Sequence, residues 1–431
     1  MTKSALETEA NRIGEPIEMV APLSSAPSLA DIDATRVALR DASRKPIAPS
    51  RIADAIARAI SLWRDRQHPR RVDAVARITR NAGFSLPLMN DSIDALLRPF
   101  TREALATLAE RVTRRGARKQ AELLGFIMAG NVAGAGLHEV AIALVAGATL
   151  LVKTASNEPI FFAEFVRTLA DIDPEVASRI AVFSWPRDRI DLTAAHVANC
   201  DLIVAYGDDA TIASIAARNL IGFGSRVSGA VVAGSAAISS QIDTMTDLLA
   251  RDVAYFEQLG CLSPHHIFVV TPRPEIASKF ANEMSVAFER LSKSMPPAKI
   301  PLIDAAKILS VRENARWRRI SGDTIQLMEG PQLGWTAIFD PDAAFSVSPG
   351  FRTVVISAVR DWQDLRFRLL PAKGLIEAFG FSGNQSELAD FRALAGELGI
   401  SYVAQVGEMQ SPPLDWPHGG GAFLDAMIGV R

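Results

Sequence analysis

The sequence predicts an α/β protein built on a parallel β-sheet, and the order of its apolar segments is the main reason. Between residues 123 and 234, short apolar runs alternate with helical stretches; the runs are LLGFIMAG, ATLLVKTA, RIAVFSWP, CDLIVAYG and SGAVVAG. Such runs are typical of strands buried on both faces, and strands that alternate with helices form βαβ units. A sheet of this kind binds its ligands beyond the carboxyl ends of its strands, near helix N-termini.

Length and composition agree with this fold class. The chain has 431 residues, which is too many for one ordinary core, so we expect two or more lobes. Hydrophobic residues make up 48% of the chain and charged residues 22%. These values are typical of folded globular proteins, and they exclude disordered, collagen-like and coiled-coil classes.

The pattern along the chain divides it into four parts. Residues 1–50 are rich in Ala, Ser and Pro without sustained periodicity, so we predict an N-terminal arm with weak local structure. Residues 51–234 are expected to contain amphipathic helices followed by the first α/β lobe. Residues 235–400 are predicted to form a second α/β lobe. Residues 401–431 read as a loop-like C-terminal segment that returns to a subunit interface or to the active site.

Charge and hydropathy exclude several classes of partner. The formal net charge is −2 and the sequence pI is about 6.4, so no overall positive field attracts nucleic acid or anionic lipid. The N-terminal segment carries several glutamates and lacks the apolar stretch of a secretory signal. The longest apolar run, residues 140–152, is too short to span a bilayer. We therefore expect a cytoplasmic protein with no nucleic-acid partner and no membrane span.

Cys261 is the first candidate for chemistry. It lies in EQLGCLSPHH, between a helical pattern over residues 236–257 that Gly260 stops and a strand pattern that follows Pro264. A cysteine in such a turn can present its sulfur to a cleft, as a nucleophile must. The alternative is a cysteine that packs as a small hydrophobic residue, which is our interpretation of Cys200. Two cysteines are too few for a disulfide framework or a zinc site, so we predict no metal.

Activation of Cys261 needs a second group. We expect the preceding helix to end at the cysteine, so that its dipole opposes a thiolate there. The candidates are backbone N–H groups of the turn, the positive charge of a bound cofactor, or a histidine such as His265 or His266. These two histidines point to opposite faces of the predicted strand, so at most one of them faces the site. Both also fit an ordinary core or surface position.

Two further segments carry candidate binding groups. Asn131 lies in GFIMAGNVAGAGLHEV, whose glycine spacing differs from the dinucleotide fingerprint G-x-G-x-x-G. Its amide could donate to an oxyanion, although these glycines also fit a simple tight turn. Lys153 and Ser156 lie in LLVKTASNEP, at the carboxyl end of a predicted strand. An ammonium and a hydroxyl there suit a ribose or its 2′-phosphate; the alternative is a surface lysine that caps a loop.

Taken together, the motifs resemble a known superfamily. The segments GNVAGAG, LLVKTAS, DLIVAYGDDA, SRVSGAVVA, EQLGCLSP and the near-terminal DWPHGG resemble those of the aldehyde dehydrogenases, specifically the acyl-CoA reductase branch of LuxC-type fatty acyl reductases. The resemblance covers about residues 123–270 and the C-terminal tail. It implies an aldehyde dehydrogenase-like fold in which a Rossmann-type cofactor lobe, within residues 51–234, precedes an α/β catalytic lobe that carries the cysteine.

The resemblance also implies a reaction. Cys261 would attack an acyl-CoA or acyl-carrier thioester, and hydride from NADPH would reduce the bound acyl group to an aldehyde. Asn131 and the Cys261 backbone N–H would form the oxyanion hole. Ser156 in place of an acidic residue favours NADPH, with NADH as the alternative. The implied cofactor-binding residues are Lys153, Ser156, Tyr206, Gly207 and Asp208.

The remaining implications concern the fate of the acyl-enzyme. Hydrolytic relatives carry a glutamate in E-L-G-G-K, whereas SRVSGAVV has no carboxylate, so the acyl-enzyme is expected to await hydride or a thiol. His418 is a further candidate site residue, and the resemblance implies a homo-oligomer. Two other functions stay open: a CoA-acylating aldehyde dehydrogenase acting on short or aromatic aldehydes, and a non-redox cysteine acyltransferase or thioesterase. A binding module with an inert Cys261 is the remaining alternative.

Overall fold

The computed structural model describes residues 26–115 and 121–427. Within these residues the chain forms a five-stranded and a seven-stranded sheet, both with helices packed against them. This confirms the predicted α/β class. Among the described helices none is both long enough and apolar enough to cross a membrane.

Five helices precede the first sheet. They are α1 (Leu29–Ser43), α2 (Pro49–Arg64), α3 (Pro69–Ala82), α4 (Leu86–Leu97) and α5 (Arg102–Arg115). The predicted weak local structure of residues 1–50 is wrong for α1, because Ile32 and Leu39 are buried against the first sheet and the Ser28 side chain caps the helix. The rest of that prediction, residues 1–25, lies outside the described residues.

The first sheet contains four of the strands predicted from the apolar runs and one short strand that was not predicted. They are β1 (Leu123–Ile127), β2 (Thr149–Thr154), β3 (Ile180–Ser184), β4 (Leu202–Tyr206) and β5 (Leu220–Phe223), in the parallel order β3-β2-β1-β4-β5. Its helices are α6 (Leu137–Val145), α7 (Ile160–Ile172), α8 (Pro174–Ala177), α9 (Ile190–Asn199) and α10 (Asp209–Ala213). The carboxyl ends of β1–β4 therefore meet at one edge of the sheet.

The second sheet has the order β12-β11-β6-β7-β10-β9-β8, and the β8–β9 pair is antiparallel. Its strands are β6 (Val227–Val232), β7 (Pro264–Val270), β8 (Gln326–Glu329), β9 (Thr336–Phe339), β10 (Thr353–Val359), β11 (Ile376–Ser382) and β12 (Tyr402–Gln405). Its helices are α11 (Gly234–Ala237), α12 (Ile242–Ala254), α13 (Pro274–Ser294), α14 (Leu302–Ile320), α15 (Trp362–Leu369), α16 (Gln385–Leu398) and α17 (Phe423–Met427). Short 3-10 turns lie at Tyr255–Gln258, Pro331–Leu333, Leu370–Ala372 and His418–Gly420.

The second sheet changes the boundary between the lobes. The run SGAVVAG, placed in the first lobe by the sequence analysis, forms β6 and pairs with β7 and β11. Because strand pairing joins β6 to the second sheet, the boundary lies between β5 and β6, ahead of residue 234.

The helical pattern over residues 236–257 is not one helix. The α-helix ends at Ala254, and Phe256, Glu257 and Gln258 follow with φ values of 51°, 53° and 63°. Non-glycine residues rarely adopt this left-handed conformation, so surrounding contacts must hold it. The prediction that a helix ends at Cys261 is therefore wrong, and the opposing dipole does not apply there.

Two buried side chains hold this left-handed turn. The Glu257 carboxylate accepts hydrogen bonds from Nε and Nη2 of Arg352, at 3.0 and 2.9 Å. The Gln258 amide donates to the carbonyls of Pro264 and Thr353, at 2.7 and 2.8 Å, and accepts from the Thr353 N–H at 2.7 Å. These contacts fix the chain that precedes Cys261 to the starts of β7 and β10.

We expect Arg352→Met to lower the free energy of unfolding by about 3–5 kcal/mol, because Glu257 would stay buried without its partner. Urea denaturation followed by circular dichroism measures this loss. Arg290→Met is the control, since it removes an exposed ion pair with Asp247 and should cost less than about 1 kcal/mol. Equal losses in the two variants would contradict a stabilising role for the buried pair.

Candidate active site

One cavity of about 1130 Å³ contains every site residue that the sequence analysis proposed. It lies between the carboxyl ends of β1–β4 and the turn that precedes β7. The proposed residues that line it are Asn131, Lys153, Ser156, Tyr206, Gly207, Asp208, Cys261 and His418. The cavity therefore brings a thiol, an amide, an imidazole and an ammonium group together.

Cys261 is half-buried, and its turn is tied to the second sheet. The Ser228 hydroxyl donates to the Cys261 carbonyl at 2.7 Å, and the Gln410 amide donates to the Ser263 hydroxyl at 3.1 Å. Cys200 differs, because it packs beside the core cluster of the first sheet and burial raises the pKa of its thiol to about 12. Of the two thiols, Cys261 is the one that lines the cavity.

Asn131 lies in the loop between β1 and α6 and contacts the cysteine turn. Its side-chain nitrogen donates to the Leu259 carbonyl at 2.6 Å, which leaves the second amide hydrogen for another acceptor. Glycine is required at two points of this loop. A Cβ at Gly130 would lie 1.9 Å from Asn157 Oδ1, and Gly136 has a φ of 88° at the start of α6. The tight loop thus places Asn131 and the first turn of α6 beside Cys261.

A buried ion pair faces the thiol from that first turn. Glu139 Oε1 lies 2.8 Å from His418 Nδ1. Burial alone would raise the pKa of Glu139, but His418 outweighs it and holds that pKa at about 2. Burial likewise opposes protonation of His418, but Glu139 and Cys261 raise its pKa to about 10. At neutral pH the pair is therefore a carboxylate and an imidazolium.

Aromatic rings and backbone contacts fix the orientation of His418. The imidazole lies between Phe223 and Trp416, with ring centroids 4.0 and 4.2 Å away and planes inclined by 13° and 21°. The next residue, Gly419, donates its N–H to Glu377 Oε1 at 3.0 Å. The C-terminal segment therefore reaches the cavity, and with Nδ1 bonded to Glu139, Nε2 is the ring nitrogen left for Cys261.

The other two histidine candidates do not pair with Cys261. His265 lines the cavity, but its Nδ1 lies 2.9 Å from the Ser348 hydroxyl. His266 contacts the hydroxyl of Ser357 at 2.9 Å. Burial lowers the pKa of His265 to about 4 and that of His266 to about 3, so both rings are neutral at neutral pH.

The opposite end of the cavity is positively charged. Lys153 at the end of β2 is buried, and its ammonium lies 5.9 Å from the centroid of the Trp185 ring. Burial and the nearby Arg187 lower the pKa of Lys153. Within the described part of the chain neither cation forms a salt bridge, although the Asp208 carboxylate interacts electrostatically with Arg187. The Ser156 hydroxyl donates to the Trp185 carbonyl at 3.2 Å. This arrangement fits an anionic group such as a phosphate.

The proposed cofactor-binding residues Tyr206, Gly207 and Asp208 lie in two different environments. The Tyr206 ring packs against Phe223 at a centroid distance of 4.9 Å and faces Glu139 and Cys261, so it belongs to the catalytic end. Asp208 caps the short helix α10 by accepting from the Thr211 N–H at 2.7 Å, and Gly207 packs against that threonine. Here Asp208 and Gly207 shape the loop after β4.

Sequence reasoning missed four charged residues of the cavity: Glu139, Arg187, Arg226 and Glu377. Burial raises the pKa of Glu377, which lies on β11. The segment that forms β6 has no carboxylate, as predicted. Glu139 of α6 and Glu377 of β11 nevertheless place two carboxylates in the cavity. The adjacent His138 and Glu139 in GLHEV were the available signal for Glu139, whereas nothing local in the sequence distinguished the other three.

Solved structures share this fold. An oxidoreductase from Marinobacter aquaeolei has a TM-score of 0.71 at 14% identity, covering 93% of this chain and 90% of that chain. Aldehyde dehydrogenase 21 from Physcomitrella patens has a TM-score of 0.69 at 13% identity, with 93% and 89% covered. An NAD-dependent benzaldehyde dehydrogenase from Corynebacterium glutamicum has a TM-score of 0.68 at 14% identity, with 90% and 88% covered. The predicted aldehyde dehydrogenase-like fold is confirmed.

Similarity in sequence points to one branch of this fold. A long-chain acyl-protein thioester reductase of Aliivibrio fischeri is 20% identical over 247 residues, 56% of this chain and 49% of that protein. Long-chain acyl-protein thioester reductase 2 of Photobacterium leiognathi is 20% identical over 249 residues, 54% and 48%. The chain thus spans about half the length of these curated relatives. Residues 46–430 match the family described as acyl-CoA reductase (LuxC), and the protein therefore belongs to the acyl-CoA reductase (LuxC) family.

Proposed function

We propose that the protein is an enzyme that reduces an acyl thioester to an aldehyde through an acyl group bound to Cys261. The observation that carries this proposal is the two-ended cavity, with the thiol and the Asn131 amide at one end and the cations Lys153 and Arg187 at the other. The names of the curated relatives support the thioester substrate, and family membership supports acyl-CoA as a donor.

The chain supplies the groups for acylation. The Cys261 thiolate attacks the thioester carbonyl carbon, and the carbonyl oxygen becomes negatively charged. The free hydrogen of the Asn131 amide and the Cys261 backbone N–H are the proposed donors to this oxyanion. The hydrogen bond from Asn131 to Leu259 keeps the amide beside the turn, so the donor need not reorganise during the reaction.

The cationic end is the proposed site for NADPH, which would supply a hydride when bound. Lys153 is buried without an anionic partner among the described residues, and Arg187 lies beside it at the end of β3. Two cations favour the 2′-phosphate, whereas a carboxylate at position 156 would repel it. The NAD-dependent structural neighbour supports a nicotinamide cofactor in general, and these two cations support the phosphorylated form.

The direct test is NADPH oxidation with acyl-CoAs of increasing chain length. We expect consumption of NADPH and recovery of the matching aldehyde. Reduction of NADP⁺ that requires both an aldehyde and free CoA, without oxidation of NADPH by any acyl-CoA, would favour the CoA-acylating aldehyde dehydrogenase. Acyl transfer to a thiol without any nicotinamide-dependent step would favour a non-redox acyltransferase and contradict the reductase.

Cys261→Ala should abolish turnover, because no other thiol lines the described part of the cavity. Cys200→Ala is the matched control, and it should retain turnover because Cys200 packs beside the core of the first sheet. Steady-state rates of aldehyde formation measure both effects. Full activity of the Cys261→Ala variant would exclude the covalent route.

Ser156→Glu and Arg187→Ala should each lower kcat/KM for NADPH by about 10-fold or more, because a charge-assisted contact to phosphate contributes about 1.5–3 kcal/mol. The value for NADH should change less. Arg189→Ala is the control, since Arg189 lies in the same loop but pairs with Asp191. If the ratio of NADPH to NADH kinetics stays constant in both variants, the 2′-phosphate assignment is wrong.

A further inference from the structure

We propose that Cys261, His418 and Glu139 act as a triad, in which His418 is a catalytic proton carrier and Glu139 a positioning residue. This inference rests on the proposed function and names residues that complete it. His418 would exchange a proton with the sulfur atoms of Cys261 and of the leaving thiol. Glu139 would hold the imidazole in its charged form and in a single orientation.

The surrounding contacts hold His418 in one orientation beside Cys261. Glu139 and His418 lie 279 residues apart in the chain, yet the carboxylate oxygen is 2.8 Å from Nδ1. The two flanking aromatic rings leave the imidazole little freedom to turn out of its plane. With Nδ1 occupied, Nε2 is the nitrogen available to the neighbouring Cys261 side chain. A base oriented by a third group, beside a nucleophile, is the arrangement that nucleophilic catalysis requires.

Hydrogen bonds anchor the C-terminal segment that carries His418. The buried Asp252 of α12 accepts hydrogen bonds from the backbone N–H groups of Gly407 and Met409, at 2.6 and 3.3 Å. The Gln410 amide donates to the carbonyl of Asp252 and to the Ser263 hydroxyl. The same segment that carries His418 is therefore bonded to the turn that carries Cys261, and their separation is fixed.

The titratable groups around His418 favour its protonated form. The titratable groups facing His418 from the elements around it are Glu139 and His138 of α6, Tyr206 of β4, Cys261, and Glu377 of β11. Burial lowers the pKa of His138, and burial together with Glu139 raises that of Tyr206, so both are neutral at neutral pH. The remaining neighbours are acids, whose ionised forms favour a positively charged imidazole.

These charges give a balanced proton sequence. The Cys261 thiolate forms a bond to the acyl carbon, the bond from that carbon to the donor sulfur breaks, and the His418 imidazolium protonates the departing thiolate. When a hydride reaches the acyl carbon, the bond to Cys261 breaks, and the aldehyde leaves while the thiolate returns. His418 then takes one proton from solvent. Each turnover consumes one hydride and one proton.

The test measures the reactivity of Cys261 without substrate or cofactor. In a Cys200→Ala background, the rate of alkylation by iodoacetamide is followed from pH 6 to 9.5 for the parent protein, Glu139→Gln and His418→Asn. Both variants should react about 10-fold or more slowly at pH 7 and approach the parent rate at high pH, because an adjacent cation stabilises a thiolate.

Several controls separate a catalytic from a structural role. His68→Asn, which changes a histidine at the start of α3, should leave the alkylation profile unchanged. Thermal unfolding verifies that each variant is folded, and a carboxylate at position 139, as in Glu139→Asp, should restore part of the reactivity at pH 7. A folded His418→Asn variant with the parent rate and pH profile would overturn the triad.

The alkylation test requires neither substrate nor NADPH, so the triad and the reductase can be rejected separately. Altered alkylation profiles in a protein that consumes no NADPH would retain the triad and reject the reductase. Normal NADPH oxidation together with unchanged alkylation profiles would retain the reductase and reject the triad.

Discussion

A buried carboxylate requires a partner, and the pairing of Glu139 with His418 organises the whole catalytic end of the cavity. Glu139 comes from a helix of the first sheet, His418 from a segment beyond the second sheet, and Cys261 from the turn before β7. Removal of either partner would leave an uncompensated charge in the interior, which is far more costly than loss of an exposed pair. The ion pair therefore joins the lobes and sets the charge beside the sulfur.

A second constraint acts on the nucleophile itself. Phe256, Glu257 and Gln258 adopt a left-handed conformation that is unfavourable for residues with side chains. The contact between the buried charges of Glu257 and Arg352 holds the turn in this conformation. The turn redirects the chain after α12, so Cys261 enters the cavity without the negative end of a helix behind it. In the proposed triad, activation of Cys261 then depends on His418, whose pKa Glu139 and Cys261 raise against the effect of burial.

Much of this architecture could be predicted from the sequence, since apolar runs between helical segments specify buried parallel strands, and the motifs around Asn131, Lys153 and Cys261 are local. Glu139 could not, because its role depends on a histidine 279 residues away. Arg187 could not either, because only the fold brings the loop after β3 beside Lys153. The α1 helix and the break after Ala254 also depend on tertiary contacts that override local composition and periodicity.

The central claim is that Cys261 carries the acyl group between two separable steps. The most direct measurement is the intact mass of the protein after incubation with a long-chain acyl-CoA and no nicotinamide, followed by addition of NADPH. We predict one acyl adduct, which peptide mapping locates on Cys261. Addition of NADPH should remove this adduct and release a stoichiometric amount of aldehyde. An adduct on another residue, or an adduct on Cys261 that NADPH releases as the free acid, would contradict it.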